Sequence, residues 1–327
     1  MMRRLVAALF CTVLAMPAMS AEAERDLRWG TPEAPVPPPK VARPALGSIP
    51  AVHVYTNAGY GTGGVGLRNR LAGAINVSAV VKPVKAAFLY WAVITNGAAP
   101  AAAKTPKIAR RHPLPVSSAV TLNGAVVGTG PSPCWGGNTI TVLKASVPTS
   151  VANGAGVYEL VFPTGASGSN GGDDPWYRPG PLPYLEGAGL AIIGGGASTV
   201  AVYDVGLAGA TFSGSLTYSL PLPAVYTGNV LDWDSIGADG QRGVGREPSS
   251  PTSSETTTIN GRVVAGGSSA YRDSNWNGGV SGPLPQLWDV TTQALRGVIP
   301  SGTSVLNVSV NAPNDCLTPV ANLVKVR

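Results

Sequence analysis

The stretch Thr257-Thr258-Ile259-Asn260-Gly261-Arg262-Val263-Val264 decides the fold class, because it repeats an earlier one, Val120-Thr121-Leu122-Asn123-Gly124-Ala125-Val126-Val127. In each stretch, two short runs rich in Val, Thr and Ile are joined by Asn-Gly. Asn-Gly favours a two-residue type I′ turn, since both central residues of that turn need a positive φ. The two stretches therefore predict two β-hairpins at corresponding points of a repeated chain.

The motifs that follow each hairpin also come in the same order. Cys134-Trp135-Gly136-Gly137 follows the first hairpin, and Trp276-Asn277-Gly278-Gly279 follows the second. Each copy then continues through a Val/Thr segment and a small-residue turn, and the copies end on residues 186–193 and 317–326. Matching order along the chain indicates an internal repeat. We predict two tandem, jelly-roll-like β-sandwich lobes, 49–209 and 210–327, the second of which takes its early strands from residues 211–222.

The overall composition favours the same all-β class. There are 42 Gly and 30 Pro residues, which interrupt helices too often for a helical protein, and only 12% of residues are charged. Val, Thr and Ile fill the short runs between them. Their spacing suits a sandwich or barrel, and the strand candidates are 51–56, 75–81, 86–94, 119–122, 125–128, 139–143, 157–162, 188–193 and 199–205.

The N-terminal segment predicts export. Arg3 and Arg4 precede an apolar run at 5–16 that is too short to span a bilayer, and small residues follow it. We expect a signal peptide at 1–23, then a Pro-rich arm at 24–48, and a secreted, extracellular or periplasmic product without a transmembrane segment. Without Arg3, Arg4 and Glu22 of the signal segment, 21 of the 23 basic residues remain against 16 of the 17 acidic ones, a charge of about +5.

That charge is too small and too dispersed to indicate nucleic-acid binding. The only local run is Lys104, Lys107, Arg110 and Arg111, which we interpret as a solvated loop. Two cysteines remain after the signal, Cys134 and Cys316, and in an oxidising compartment they are a candidate disulfide. Two free buried thiols are the alternative.

Three carboxylates are candidates for catalysis. Glu186 lies in an otherwise apolar segment, and Asp232 or Asp234, beside Trp233, could join it in a groove between the lobes. A glycosidase or amidase needs two carboxylates facing one cleft, one of them with a raised pKa. The alternative is that Glu186 caps a strand or pairs with an arginine such as Arg178.

Residues 273–278 predict a structural calcium site. Asp273, Asn275 and Asn277 supply oxygens at alternate positions, and Gly278 permits a sharp turn. An EF-hand would have Glu at the twelfth position, where this chain has Leu284. A further carboxylate would have to complete the shell, and the candidates are Asp289, Asp232, Asp234 and Asp239.

Aromatic residues beside Gly/Pro-rich loops are candidates for ligand binding. Exposed rings on a rigid β scaffold can stack on sugars or anchor a protein partner. The candidates are Trp176, Tyr177, Tyr184 and Trp233. Trp135 and Trp276, at equivalent points of the repeat, are better explained as core residues.

Two further patterns give little support to other enzyme classes. Residues 61–66 fit Gly-x-Gly-x-x-Gly, but no helix is expected behind them, and Lys82 and Lys85 stand where an acidic residue would bind a ribose. We interpret the segment as a flexible loop. His53 and His112 are the only histidines, and no Cys/His spacing for zinc or Gly-x-Ser-x-Gly elbow occurs.

Several motifs together resemble a family of prokaryotic exported β-sandwich domains of unknown function, found on secreted and cell-surface proteins. The resemblance rests on KAAFLYWAVI at 85–94, SPCWGG at 132–137, EGAGLAII at 186–193, ADGQ at 238–241, LWDVTT at 287–292 and DCLTPVANLVKV at 315–326. It implies export and a β architecture, with no reaction to carry over. We expect a non-enzymatic binding protein for a glycan, cell-envelope component or surface protein. The alternatives are a secreted hydrolase of carbohydrates or peptides and a structural subunit of an extracellular assembly; the oligomeric state is left open.

Overall fold

Antiparallel β-strands form nearly all of the regular structure, which confirms the all-β prediction. The computed structural model describes residues 46–67, 69–113, 116–132, 138–169, 181–208, 212–238, 255–266 and 288–327. Its strands are β1 His53–Gly66, β2 Ala72–Val77, β3 Ala86–Thr95, β4 Lys107–His112, β5 Val120–Thr121, β6 Ala125–Ser132, β7 Asn138–Ser146, β8 Gly156–Val161, β9 Tyr184–Gly195, β10 Ser198–Tyr203, β11 Phe212–Pro221, β12 Leu231–Ala238, β13 Thr256–Ile259, β14 Arg262–Ala265, β15 Trp288–Ala294 and β16 Val305–Val326. Two 3₁₀ turns, Ala101–Lys104 and Val205–Ala208, complete the described elements.

One large sheet runs through both predicted lobes. Its strand order is β6-β7-β3-β9-β1-β10-β16-β12-β15, and it uses the C-terminal part of β16. The N-terminal part of β16 instead pairs with β11 and β13, and β14 extends that smaller sheet. A separate sheet has the order β2-β8-β4-β5. β16 therefore belongs to two sheets.

A register shift in β1 divides the large sheet. Residues before it pair with β10, and those from Ala58 onward pair with β9. Asn57, inside the shift, has a φ of 48°. The shift separates a first half-sheet (β6, β7, β3, β9 and the C-terminal part of β1) from a second half-sheet (β10, the C-terminal part of β16, β12 and β15).

The two half-sheets pack face to face, so the described chain has four β layers and three cores. A Cβ added to Gly189 of β9 would lie 3.0 Å from Ile236 Cγ2 of β12, a contact across the interface. The central core between the half-sheets contains Tyr90, Trp288 and Leu323. A first outer core, with Trp91, lies under β2-β8-β4-β5, and a second, with Trp233, lies under the sheet of β11, β13 and β14.

The pairing scheme of the first part of the chain recurs in the second. β3 lies between β9 and β7, and β12 lies between the C-terminal part of β16 and β15. β2 pairs with β8 as β11 pairs with the N-terminal part of β16. Trp91 and Trp233 occupy matching positions, each facing an outer core. By this scheme β12 is the counterpart of β3, and β11 is the counterpart of β2.

The predicted division into 49–209 and 210–327 falls just outside the described residues, between 208 and 212. The second copy of the pairing scheme begins before this boundary, at β10, because β10 pairs with β16 in the way that β1 pairs with β9. Whether the lobes are independent domains stays a prediction.

The second Asn-Gly stretch forms the predicted hairpin. β13 and β14 pair across it, with Ile259 opposite Arg262. Asn260 and Gly261 have φ angles of 50° and 74°, as a type I′ turn requires.

The first Asn-Gly stretch forms no hairpin, so that prediction was wrong. β5 pairs with β4 in the small sheet, whereas β6 pairs with β7 in the large sheet. The chain passes from one layer to the other at Gly124, where an added Cβ would overlap Cζ2 and Cη2 of Trp91. Glycine is thus required there for a close approach to an indole ring.

Two segments expected to be loops are strands. Residues 61–66 belong to β1, where a Cβ on Gly61 or Gly63 would overlap the carbonyl oxygen of Ala79 or Asn76. These glycines let a neighbouring backbone cross the sheet. The basic run lies partly in β4, where Arg110 is buried and donates to the Ala155 carbonyl over 2.8 Å. Arg111 pairs with Glu159.

The part of the chain that the structure describes has no helix that is long and apolar enough to span a membrane.

We expect Gly124→Ala to lower the free energy of unfolding by about 2–3 kcal/mol, because the new methyl group overpacks Trp91. Gly261→Ala should cost about 1 kcal/mol, since it strains only a positive φ. Urea unfolding in the wild-type and Trp91→Phe backgrounds separates the two causes. Phenylalanine lacks the overlapping ring atoms, so it should reduce the cost of Gly124→Ala and leave that of Gly261→Ala unchanged. Equal costs in both backgrounds would contradict this account.

Candidate functional site

A buried carboxyl group, that of Asp234, lies between the two half-sheets. Side chains of a strand alternate between faces, so along β12 Trp233 enters the second outer core while Asp234 and Ile236 face the central core. Tyr60 and Thr62 of β1 face the same core, because the intervening Gly61 faces the other side. Glycine and polar residues thus alternate in β1 because the glycines face a neighbouring backbone and the polar side chains face the central core.

Three hydroxyl groups bond to the Asp234 carboxyl group, which is fully buried. Tyr60 Oη donates to Oδ1 over 2.7 Å, and Thr62 Oγ1 donates to Oδ2 over 2.5 Å. Thr292, opposite Asp234 on β15, contributes the third bond. We call these four residues the Asp234 cluster; it joins the first half-sheet to the second.

Burial raises the pKa of Asp234 from its ordinary value of 3.8 to about 6. The three hydroxyl bonds oppose this effect, because they stabilise the charged form, and the negative charge of Asp232 adds to it. Burial, followed by the charge of Asp234, raises the pKa of Tyr60 well above its usual range. A buried acid with so perturbed a pKa is an ordinary marker of a functional site, and also of a structural polar network.

Asp232 is engaged in an ion pair. It lies directly opposite Lys325 on β16, and Lys325 Nζ is 2.5 Å from Asp232 Oδ2. The same ammonium group lies 5.7 Å from the centroid of the Tyr60 ring. This pair borders the Asp234 cluster on its more exposed side.

Glu186 lies in a bulge of β9. The register of β9 with β3 passes from Leu185 directly to Gly187, so Glu186 is the extra residue. Its side chain is fully buried, and its charge contributes to the raised pKa of Tyr184, after burial of that phenol. Bulges often occur beside active sites, but they also re-aim side chains for packing.

The structure does not bring Glu186 and Asp234 into one cleft. Thr62, which bonds to Asp234, pairs with Ala191 of β9, five positions from Glu186. At about 3.3 Å per residue, Glu186 lies roughly 16 Å along β9 from the point beside Thr62 and Asp234. Paired carboxylates in glycosidases lie about 5–10 Å apart.

Two of the candidate binding aromatics are buried. Trp233 is 1% exposed and Tyr184 is 6% exposed, so neither ring is available at the surface for stacking. Asp289, a candidate calcium ligand, is 1% exposed. Within the described ranges, no group of three or more His, Cys, Asp or Glu residues could hold a metal ion.

Other candidates lie outside the described residues, and their roles stay predictions. They are Trp176, Tyr177, Asp273, Asn275, Asn277 and Cys134. Cys316 lies in β16, but its side chain is not among those described, so the disulfide also stays a prediction.

A second polar cluster, which the sequence did not predict, joins β3, β7 and the end of β10. Lys144 Nζ lies 3.0 and 3.1 Å from the two carboxylate oxygens of Asp204, and Tyr90 Oη donates to Asp204 Oδ1 over 2.8 Å. His53 stacks on Phe88 with ring centroids 4.8 Å apart. Burial and then the charge of Lys144 lower the pKa of His53. Asp204 is 60 and 114 positions from its two partners, so no local motif could have revealed this cluster.

An open depression lies at one end of the second outer sandwich. Its volume is about 400 Å³, and it is lined by Tyr226, Gly228, Arg262, Gly297, Val298, Ile299, Pro300 and Ser301. Arg262, in the β13–β14 hairpin, is exposed, and within the described residues its side chain has no hydrogen bond or ion pair. No sequence pattern predicted this site beyond the hairpin itself.

No protein-family model, curated protein or solved structure matches this chain. The resemblance to exported β-sandwich domains therefore stays a prediction, and function has to be argued from the geometry.

We expect Asp234 to make the protein less stable as the pH rises. Because its pKa is about 6 when folded and 3.8 ordinarily, its contribution is fully present below pH 3.8 and is lost as the pH rises through 6. This rise in the pKa of Asp234 corresponds to roughly 3 kcal/mol. Urea unfolding at pH 4 to 7 should show a fall of up to this size that Asp234→Asn removes.

Glu159→Gln, which removes a partly exposed carboxylate outside the Asp234 cluster, is the control for this experiment, and it should leave the fall unchanged. Parallel stability curves for the wild type and Asp234→Asn would show that the carboxyl group has no such role.

Proposed function

We propose that the protein is an exported, non-enzymatic binding protein that recognises an acidic glycan in the depression beside Arg262. The observation that carries this proposal is an exposed guanidinium group without a partner in the described residues, next to an open depression of about 400 Å³. A guanidinium group presents a planar fork of donors that matches the two oxygens of a carboxylate. A uronic acid or a similar acidic sugar carries a carboxylate, and its ring is of a size that suits the depression.

The rim of the depression is fixed by hydrogen bonds, which supports a preformed site. Asn260 holds the hairpin on β16, because its Oδ1 accepts from Asn307 N over 2.7 Å and its Nδ2 donates to Val305 O over 3.1 Å. On the other side, Tyr226 N donates to Thr303 O over 2.9 Å, and Gly302 N donates to Tyr226 O over 2.8 Å. Little ordering of the backbone would be needed on binding, which reduces the entropic cost of binding.

The positions of the described carboxylates favour binding over hydrolysis. Asp234 accepts three hydroxyl bonds, Asp232 is paired with Lys325, and Glu186 lies about 16 Å away along β9. A hydrolase that uses Glu186 is the first alternative. It predicts turnover of oligosaccharides or peptides that Glu186→Gln abolishes.

Binding can be measured by titrating the protein with oligogalacturonate and with a neutral oligosaccharide of the same length. We expect the acidic ligand alone to bind, and Arg262→Ala to weaken binding at least tenfold, as loss of a charge-assisted hydrogen bond would. Arg296→Ala is the matched control, because Arg296 is an exposed arginine of the neighbouring loop that does not line the depression. Equal weakening by both variants would indicate nonspecific attraction. Self-association without any binding would favour the structural-subunit alternative.

We also propose that a structural calcium ion binds at Asp273, Asn275 and Asn277. The alternate spacing of these oxygen donors supports it, and Asp289 follows at the start of β15. Calcium should raise the melting temperature of the wild type, and Asp273→Ala should abolish that rise. The exposed Asn229→Ala is the control. Identical melting with calcium and with a chelator would exclude the site.

A further inference from the structure

Lys144 and Asp204 hold an amine and a carboxyl group in direct contact. Lys144 Nζ is almost equally far from the two carboxylate oxygens, at 3.0 and 3.1 Å, so the ammonium group bridges both oxygens and lies close to the carbon atom between them. Their side chains are only 13% and 11% exposed. Most Lys–Asp ion pairs lie at the surface, where long side chains move and water competes; this one is held in place.

The surroundings of the pair are aromatic and apolar. Lys144 Nζ lies 4.5 Å from the centroid of the Phe88 ring and 5.2 Å from that of Tyr90. Phe88, Tyr90 and Val142 all belong to the central core. Few water molecules can reach the pair at this low exposure.

We propose that Lys144 and Asp204 condense to form an isopeptide bond between Nζ and Cγ. A proton first passes from the ammonium group to the carboxylate. The amine nitrogen then attacks Cγ, and Oδ2 leaves as water with one proton from the carboxyl group and one from the nitrogen. One C–O bond and one N–H bond break, one C–N bond and one O–H bond form, and no oxidant or cofactor is needed.

Tyr90 is placed to assist this step. Its hydroxyl group donates to Asp204 Oδ1 over 2.8 Å, the oxygen that keeps its bond to Cγ and gains negative charge during the attack. Because both reacting groups belong to one folded chain, their effective concentration can reach about 10⁵ M or more. That concentration, together with the exclusion of water, favours condensation over hydrolysis.

The bond would connect the two half-sheets. Lys144 belongs to β7 of the first half-sheet, and Asp204 follows β10 of the second. A covalent link between positions 60 residues apart restricts the unfolded chain as a disulfide does, but it is resistant to reductants. This inference is independent of the glycan site.

Mass spectrometry of the purified full chain tests the proposal. The wild type should be lighter than its sequence by one water molecule, and its tryptic digest should contain the peptides of Lys144 and Asp204 joined, with no cleavage after Lys144. Lys144→Arg keeps the charge and the ion pair but has no reactive amine, so its mass should equal that of its sequence. Any removal of the N-terminal segment affects both proteins equally.

Lys325→Arg is the matched control, because Lys325 and Asp232 form the other cross-strand Lys–Asp pair, with side chains 28% and 23% exposed. This variant should retain the loss of one water. Tyr90→Phe should show a larger unreacted fraction. A wild-type mass equal to that of the sequence, with normal cleavage after Lys144, would overturn the proposal and identify a simple ion pair. That measurement needs only the wild type, so it stands even if a variant fails to fold.

Discussion

The large sheet has to bury both of its faces, and the structure depends on how it does so. β3 and β9 are buried along nearly their whole length, so each needs a packing partner on two sides. The outer faces are covered by smaller sheets, but the inner faces can be covered only by each other. The register shift in β1 allows this, because the strand changes partner from β10 to β9 and the sheet folds back there. Gly187 and Gly189 then allow the two half-sheets to approach closely at Trp288.

The sequence predicted the all-β class and most strands of the first part of the chain, since alternating or continuous apolar runs between glycines and prolines are local signals. It missed β4 and the C-terminal part of β1, which were expected to be loops. It could not say which strands would pair. Asn260-Gly261 and Asn123-Gly124 are identical dipeptides in similar surroundings, yet one is a hairpin and the other a crossing between layers. The difference lies in the partners of the flanking strands, because β5 pairs with β4 and β6 pairs with β7, and the dipeptide itself does not encode that choice.

The arrangement of the candidate sites, like the pairing of the strands, could not be predicted from local sequence signals. Composition drew attention to Glu186 and Asp234, and both are fully buried carboxyl groups, but only the strand register separates them. Tyr60 and Thr62 lie 174 and 172 positions from Asp234, so no spacing rule relates them. The glycines of β1 stand out in the sequence, but their Gly-x-Gly-x-x-Gly spacing resembles a nucleotide-binding motif and does not reveal their structural role. Glycine is needed at these positions because another backbone crosses one face of the strand. On the other face, the polar side chains between the glycines contact the carboxyl group of Asp234.

The double membership of β16 has a consequence for how the protein is made. β10, β11, β12 and β13 all precede β16 in the chain, and each pairs with it. During synthesis these four strands therefore stay incompletely paired until β16 has been made, whereas the first outer core can form without β16. Until β16 emerges, their unpaired edges are open to chaperones or to neighbouring nascent chains. Long-range pairing of this kind is slow to form. If the chain is exported, as we propose, a second part that folds late would keep more of the polypeptide extended while it crosses a membrane.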